Sequence, residues 1–286
     1  MITKEQQKKI QSLSLFKNSI YNNLNIEKTI LFYINRYVNT IKKIVNISEC
    51  SAIDCGCGHG WFSFAYLLSG GRHITLVDFD VKRLELARSI ASIINIKKDN
   101  ISFKLSSIDQ IKFNENQFDI FVSVETLEHI GREKVTKSLE KMNNITSKVV
   151  LLTTPNKYFP VIAHDTRIPF LHWLPIKNRK IIAKLFGKEN SEHNYFLSPF
   201  DLNIFKNKFN NITSCLSFLD YNDFLLQYPL YLPYGSNNKY RYYNKPSFLK
   251  RNYYKYISKI FKTRSYFFMP SLTTVFVNKK FNQCKI

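Results

Sequence analysis

Asp54-Cys55-Gly56-Cys57-Gly58-His59-Gly60 closes an apolar stretch, Ser51-Ala52-Ile53-Asp54-Cys55, and leads into another that opens near Trp61. The three pieces spell strand, glycine loop and helix. Glycines at such a junction let the backbone turn tightly and approach a ligand without Cβ clashes, while amides at the helix start face it. The spacing G-x-G-x-G differs from the G-x-G-x-x-G of dinucleotide enzymes, and no G-K-[ST] ending marks a nucleoside triphosphate loop. Asp78 ends the next apolar run, Ile74-Thr75-Leu76-Val77-Asp78. A carboxylate there can accept two hydrogen bonds from the vicinal hydroxyls of a ribose. Phe79 follows and offers a ring to an adenine face.

Outward from the loop, strand and helix signals alternate. Strands are predicted at 101–105, 118–124 and 148–153, and helices at 81–94 and 132–142. This order predicts an α/β fold with a doubly wound, mostly parallel sheet and ligands at the carboxyl ends of its strands. Residues 1–47 show helical spacing, for instance Ile30, Tyr33, Ile34, Tyr37, Val38 and Ile41. Residues 48–155 form the expected cofactor-binding half. Pro199 after Ser198 predicts a helix over 200–209, and 212–218 and 272–277 read as the last two strands. Two stretches, 156–197 and 221–270, are too long for simple connections and are expected to build a cap on the acceptor side of a single domain.

The chain has 286 residues and a net charge of +21. Such a charge suits nucleic acid or an anionic membrane surface. Lys, Asn and Ile abound along the whole chain, so compositional drift accounts for the charge equally well. Five cysteines (Cys50, Cys55, Cys57, Cys215, Cys284) without C-x-x-C spacing argue against a disulfide framework and a zinc clamp, and read as reduced thiols. The polar start Met1–Lys9 does not resemble a signal peptide and no apolar run suggests a spanning helix, so a cytoplasmic protein is expected.

Three blocks resemble the signature blocks of class I S-adenosylmethionine (SAM)-dependent methyltransferases, in order and in separation. They are 52–60, 76–80 with Leu84-Glu85-Leu86-Ala87-Arg88, and 118–129. The resemblance implies a Rossmann-like, seven-stranded sheet with an antiparallel last strand. It also implies that Asp54, Gly56, Gly58 and Gly60 border the methionine part of SAM, that Asp78 and Phe79 hold the adenosine, and that Val124 contributes backbone near the sulfonium. Ser107 and Ile108 fall where the family carries an Asp and a following residue that contact adenine, and a serine still accepts a bond from the adenine amino group. Glu125-x-x-Glu128-His129 resembles the Glu-x-x-Glu-His stretch of quinone-biosynthesis O-methyltransferases. That likeness implies a divalent metal such as magnesium near Glu125, Glu128 and His129; the alternative is that Glu128 and His129 only start the next helix.

A hydroxyl acceptor profits from a base. His129, His164 and His193 are the candidates, the last in a stretch similar to a His-Asp-Tyr stretch of the same quinone enzymes. Each of the latter two reads equally well as a surface or packing histidine, and His172 belongs to an apolar wall. The Asn/Asp-Pro-Pro-aromatic tetrad of exocyclic-amine DNA methylation is replaced by Val124-Glu125-Thr126-Leu127, no Pro-Cys supplies a cytosine nucleophile, and no Lys-Asp-Lys-Glu set can be placed. Nucleic acid is therefore the lesser partner. The acceptor expected is a small molecule, a saccharide or a lipid-linked compound. The basic helix at 178–188 and the basic–aromatic runs at 239–243 and 250–256 suit peripheral contact with an anionic membrane. The alternatives are an RNA-modifying methyltransferase and a non-catalytic methyltransferase-like binding subunit.

Overall fold

The computed structural model describes residues 2–19, 22, 24–162, 165–188, 194–213 and 247–281. Among these, seven strands form one sheet: β1 (Ser51–Cys55), β2 (His73–Asp78), β3 (Ile101–Leu105), β4 (Phe118–Val124), β5 (Thr146–Thr153), β6 (Phe209–Asn211) and β7 (Thr274–Asn278). Their spatial order is β3-β2-β1-β4-β5-β7-β6. The first five run parallel, and β7 lies antiparallel to both β5 and β6. The expected doubly wound sheet with its reversed last strand is present.

Burial on both faces explains why the strands are apolar throughout. Alternate residues of β1, β4 and β5 point to opposite sides: Ala52, Ile120, Val122, Val149 and Leu151 into one core, Ile53, Phe121, Val150 and Leu152 into the other. Helices α1 (Lys4–Ser12), α2 (Ser14–Lys17), α3 (Ile26–Tyr33) and α4 (Asn39–Lys42) carry the amino-terminal apolar residues. They share the first core with α5 (Trp61–Leu68) and α6 (Val81–Ile93). Helix α7 (Arg132–Ile145) packs on the opposite face through Val135, Leu139 and Met142. The spacing of Ile30, Tyr33, Tyr37, Val38 and Ile41 does mark a buried stripe. Between α3 and α4 the ladder widens into a π-helical turn over Ile34–Val38, an irregularity often found beside functional sites.

The second half departs from expectation in two places. The predicted helix over 200–209 is only a 3-10 turn, Asp201–Phe205. Asp201 reaches back and accepts from both the amide and the hydroxyl of Ser198, at 2.6 and 2.8 Å, closing the turn on its own start. The sixth strand is Phe209–Asn211, three residues earlier than predicted. Beyond it the Ile212 amide still donates to the Val275 carbonyl of β7, and Asn211 accepts from both the amide and the hydroxyl of Thr213. Residues 214–218 of the predicted strand lie outside the described residues, as do Cys215, Cys284 and the basic run at 239–243.

The two long stretches meet over the carboxyl ends of β4 and β5. Asn156 is fully buried and donates through Nδ2 to the carbonyls of Phe267 and Met269, at 2.7 and 2.9 Å. Beyond it stand α8 (Ile176–Leu185) and α9 (Phe248–Phe261). No helix among the described residues is long and apolar enough to cross a membrane.

Candidate active site

The glycine loop turns with left-handed φ values of +72°, +54° and +82° at Gly56, Gly58 and Gly60. A Cβ on Gly56 would sit 2.1 Å from Thr126 Cγ2, inside any tolerable contact, whereas one on Gly58 would meet nothing within 4 Å. Gly56 is therefore a packing glycine, and Gly58 faces open space where a ligand can approach. Thr126 clasps the loop to the end of β4 by donating its hydroxyl toward the carbonyls of Gly56 and Val124.

Asp78 anchors the other side. Its Oδ2 accepts the Gly58 amide at 2.8 Å and its Oδ1 the Asp80 amide at 3.0 Å. Each oxygen keeps a second acceptor direction, which is what two ribose hydroxyls require. Asp80 caps α6 by accepting from the Lys82 amide. Between these two buried or capped acids Phe79 is 71% exposed, leaving its ring available to a base. An open position at Gly58, a fixed carboxylate and an unburied aromatic together fit a bound adenosyl group.

Asp54 is wholly buried, and burial pushes its carboxyl up to about 7 against the opposing bond from the Ser63 hydroxyl at 2.8 Å. His59 is held down to about 4, by burial first and by the Arg83 charge second. Ser107 donates its hydroxyl to Asp109, and Ile108 is buried. Asp109 itself is buried and was not singled out by sequence.

At the end of β4, Glu125 adopts a left-handed φ of +52°, an uncommon conformation for a non-glycine residue, with its amide donating to the Thr153 carbonyl at 2.7 Å. Strain of this kind gathers at functional sites. Glu128 is buried beneath it and accepts from the Thr154 hydroxyl at 3.1 Å. Burial, and then the neighbouring Glu125 charge, raise the Glu128 carboxyl well above the ordinary range. His129 is exposed and sits with Nε2 3.8 Å from Glu128 Oε1 and Nδ1 3.0 Å from Asn194 Oδ1. The Tyr195 amide donates to the Glu128 carbonyl at 2.9 Å, which fastens its segment to this corner. Tyr37, from the π-helical turn, is buried on the same side; burial raises its phenol, the Arg36 charge lowers it and the Glu125 charge adds to the rise.

The structure thus brings Glu125, Glu128 and His129 together. Among the described residues no three His, Cys, Asp or Glu side chains converge as a metal cage. His164 and His193 lie outside the described residues. Sequence reasoning missed Thr126, Thr154, Asn194 and Tyr37, since polar residues that clamp across long separations leave no periodic signal. An open cleft of about 620 Å³ lined by residues such as Phe113, Gln117 and Lys141 lies at the amino ends of β4 and β5, opposite the end that binds ligands in such sheets.

The ribosomal protein L11 methyltransferase of Staphylococcus carnosus is 28% identical over 139 residues, 46% of this chain and 41% of that protein. The chain therefore spans about two-fifths of the length of the curated relative it matches. A SAM-dependent methyltransferase of Mesorhizobium loti aligns over 85% of this chain and 96% of its own, with 13% identity and a TM-score of 0.48. The magnesium protoporphyrin IX methyltransferase of Synechocystis PCC 6803, solved with S-adenosylhomocysteine (SAH), aligns over 72% and 84%, with 13% identity and a TM-score of 0.45. The family profile described as "Methyltransferase domain" matches residues 46–190, just over half of the chain and including the whole glycine loop, Asp78 and the end of β4. On that match, with the sheet order and the loop geometry beside it, the chain belongs to the methyltransferase domain family in its class I, SAM-dependent form.

Proposed function

We propose that the protein methylates a hydroxyl group of a saccharide, lipid-linked or other small acceptor, with His129 as the general base. The observation that carries this reading is the alignment of His129. An amide oxygen only accepts, so Nδ1 directs its proton to Asn194 and Nε2 presents its lone pair at the carboxyl end of β4. Bound SAM supplies a methyl group on a positive sulfur and needs no activation by the protein. The glycine loop and Asp78 hold the adenosyl part, and the amide clasp between Gly58 and Asp78 fixes the loop before binding. His129 Nε2 would accept the proton that the acceptor hydroxyl gives up as its oxygen replaces sulfur on the methyl group. Burial and the Glu125 charge raise the Glu128 carboxyl, which weakens the competing negative charge beneath the imidazole. The Glu-x-x-Glu-His stretch it shares with quinone-biosynthesis O-methyltransferases supports oxygen as the acceptor atom.

We also propose that the protein works at an anionic membrane surface. In α8, Ile181 and Leu185 are 62% and 78% exposed beside Lys177, Lys180 and Lys184; in α9, Phe248, Leu249 and Ile260 are exposed beside Lys250, Arg251, Lys255 and Lys259. Neither helix contains an acid. Apolar side chains ringed by cations favour insertion among anionic headgroups. Transfer of labelled methyl from SAM into cell fractions tests the function. Label that survives ribonuclease and protease and resists mild base, as a methyl ether does, supports the proposal. Label lost to ribonuclease would favour the RNA-modifying alternative.

A further inference from the structure

Between the start of α7 and the start of α8 lies a cleft of about 340 Å³ whose walls include Arg132, Lys157, His172, Arg179 and Tyr195. Three of these side chains are cations, and none of the described lining residues is acidic. Among the described residues, no carboxylate comes within ion-pair distance of Arg132, Lys157 or Arg179. Asp165 acts on Arg179 from outside the cleft. Arg179 is half-buried and spends its Nε on the Leu174 carbonyl at 2.5 Å, which leaves the two terminal nitrogens of its fork for a ligand. Arg132 lies over the Tyr195 ring, 6.0 Å from its centre, a contact that steadies the guanidinium without neutralising it. Gathering three like charges in a concave site is unfavourable until an anion enters it.

The cleft is joined to the reacting corner. Asn194, one of its lining residues, holds His129 Nδ1, and the adjacent Tyr195 amide holds the Glu128 carbonyl. A group seated in the cleft is thus one residue away from the groups that align the base.

We propose that this cleft binds the phosphate or pyrophosphate of the acceptor, making the substrate a phosphate ester whose neighbouring hydroxyl is presented to His129. The position of that hydroxyl rests on the methyltransferase reading above; the binding of the anion does not. Arginine forks match phosphate oxygens two at a time, and Lys157 adds a point charge. Soluble phosphate esters and lipid phosphates share this chemistry.

The test is titration of inorganic pyrophosphate into the full-length protein at low salt, with SAH titrated in parallel. Saturable binding is expected in the wild type. It should weaken at least tenfold in Arg179→Gln and in the double variant Arg132→Gln/Lys157→Gln, while SAH affinity stays within twofold. Absent pyrophosphate binding in protein that binds SAH, or binding indifferent to both variants, would overturn the proposal. Loss of SAH binding with pyrophosphate binding intact would instead remove the methyltransferase reading and leave the cleft assignment standing. Vesicles of phosphatidylglycerol in phosphatidylcholine separate the two sources. Competition by pyrophosphate and a loss of vesicle binding in Arg132→Gln/Lys157→Gln, which lies off α8 and α9, assigns a lipid phosphate; vesicle binding unchanged by that variant assigns a soluble ester.

Discussion

The Gly58 amide donates to Asp78 Oδ2 at 2.8 Å, joining the tip of the glycine loop to the end of the neighbouring strand. One carboxylate therefore shapes the loop while each of its oxygens keeps a second acceptor direction. The consequence is a division of labour between glycines two residues apart. Gly56→Ala forces a Cβ to 2.1 Å from Thr126 and should destabilise the fold by several kcal/mol, on the order of other overpacked buried sites. Gly58→Ala meets open space and should cost only the left-handed penalty of about 1–2 kcal/mol, yet weaken SAH binding at least tenfold. Denaturant melts and calorimetry on both variants check this; equal effects on stability would contradict the assignment.

His129 is oriented, not buried, so its removal should leave the fold and cofactor affinity intact. His129→Ala should lower kcat by about 100-fold or more, the usual scale of a general base, with SAH affinity unchanged. Asn194→Ala should lower kcat about tenfold or less and be insensitive to the acceptor's concentration. A His129→Ala enzyme with wild-type turnover would remove the base assignment.

Three buried groups predict how stability depends on pH. Asp54 and Glu128 have raised pKa values in the folded state, so they contribute stability below their unfolded values that is lost as pH rises. His59 has a lowered value of about 4, so its contribution is present above pH 6.5 and is lost as pH falls toward 4. Between pH 4.5 and 6.5 each group changes stability by up to about 1.4 kcal/mol per pH unit, two in one direction and one in the other. Removing Asp54 as Asp54→Asn should flatten the profile across this window relative to wild type, and His59→Gln should steepen its fall with rising pH. Urea unfolding at several pH values measures both, and superimposable profiles for the three proteins would contradict the burial argument.

Membrane attachment through α8 predicts a charge and lipid dependence. Vesicles containing phosphatidylglycerol should sediment with the protein, and neutral vesicles much less. Leu185→Asp and Lys180→Glu should each weaken the association severalfold without changing SAH affinity. Equal sedimentation with neutral and anionic vesicles would remove the proposal.

Much of this was legible in the residues. The glycine loop, Asp78 and the alternation of strands and helices depend on local spacing, and local spacing is what a sequence displays. The sixth strand begins three residues earlier than its apolar run suggests, because its start is set by pairing of Phe209 with Asn278 of β7 and not by local spacing. The predicted helix after Ser198 closes instead as the short turn Asp201–Phe205. Asn194 and Tyr37 reach the site from distant parts of the chain, so only the folded arrangement brings them there. The Glu125–Glu128–His129 corner was visible as a motif, but its metal was implied by resemblance alone, and the described side chains do not converge around one.

The most direct test of the central claim is calorimetric titration of SAH into the wild type and into Asp78→Ala, each shown to be folded by its thermal melt. The account predicts micromolar binding in the wild type and a loss of about 1.5–3 kcal/mol in the variant, at least tenfold in affinity, as for hydrogen bonds to a charged group. Absence of SAH binding by folded wild-type protein, or equal affinity in the two, would contradict it.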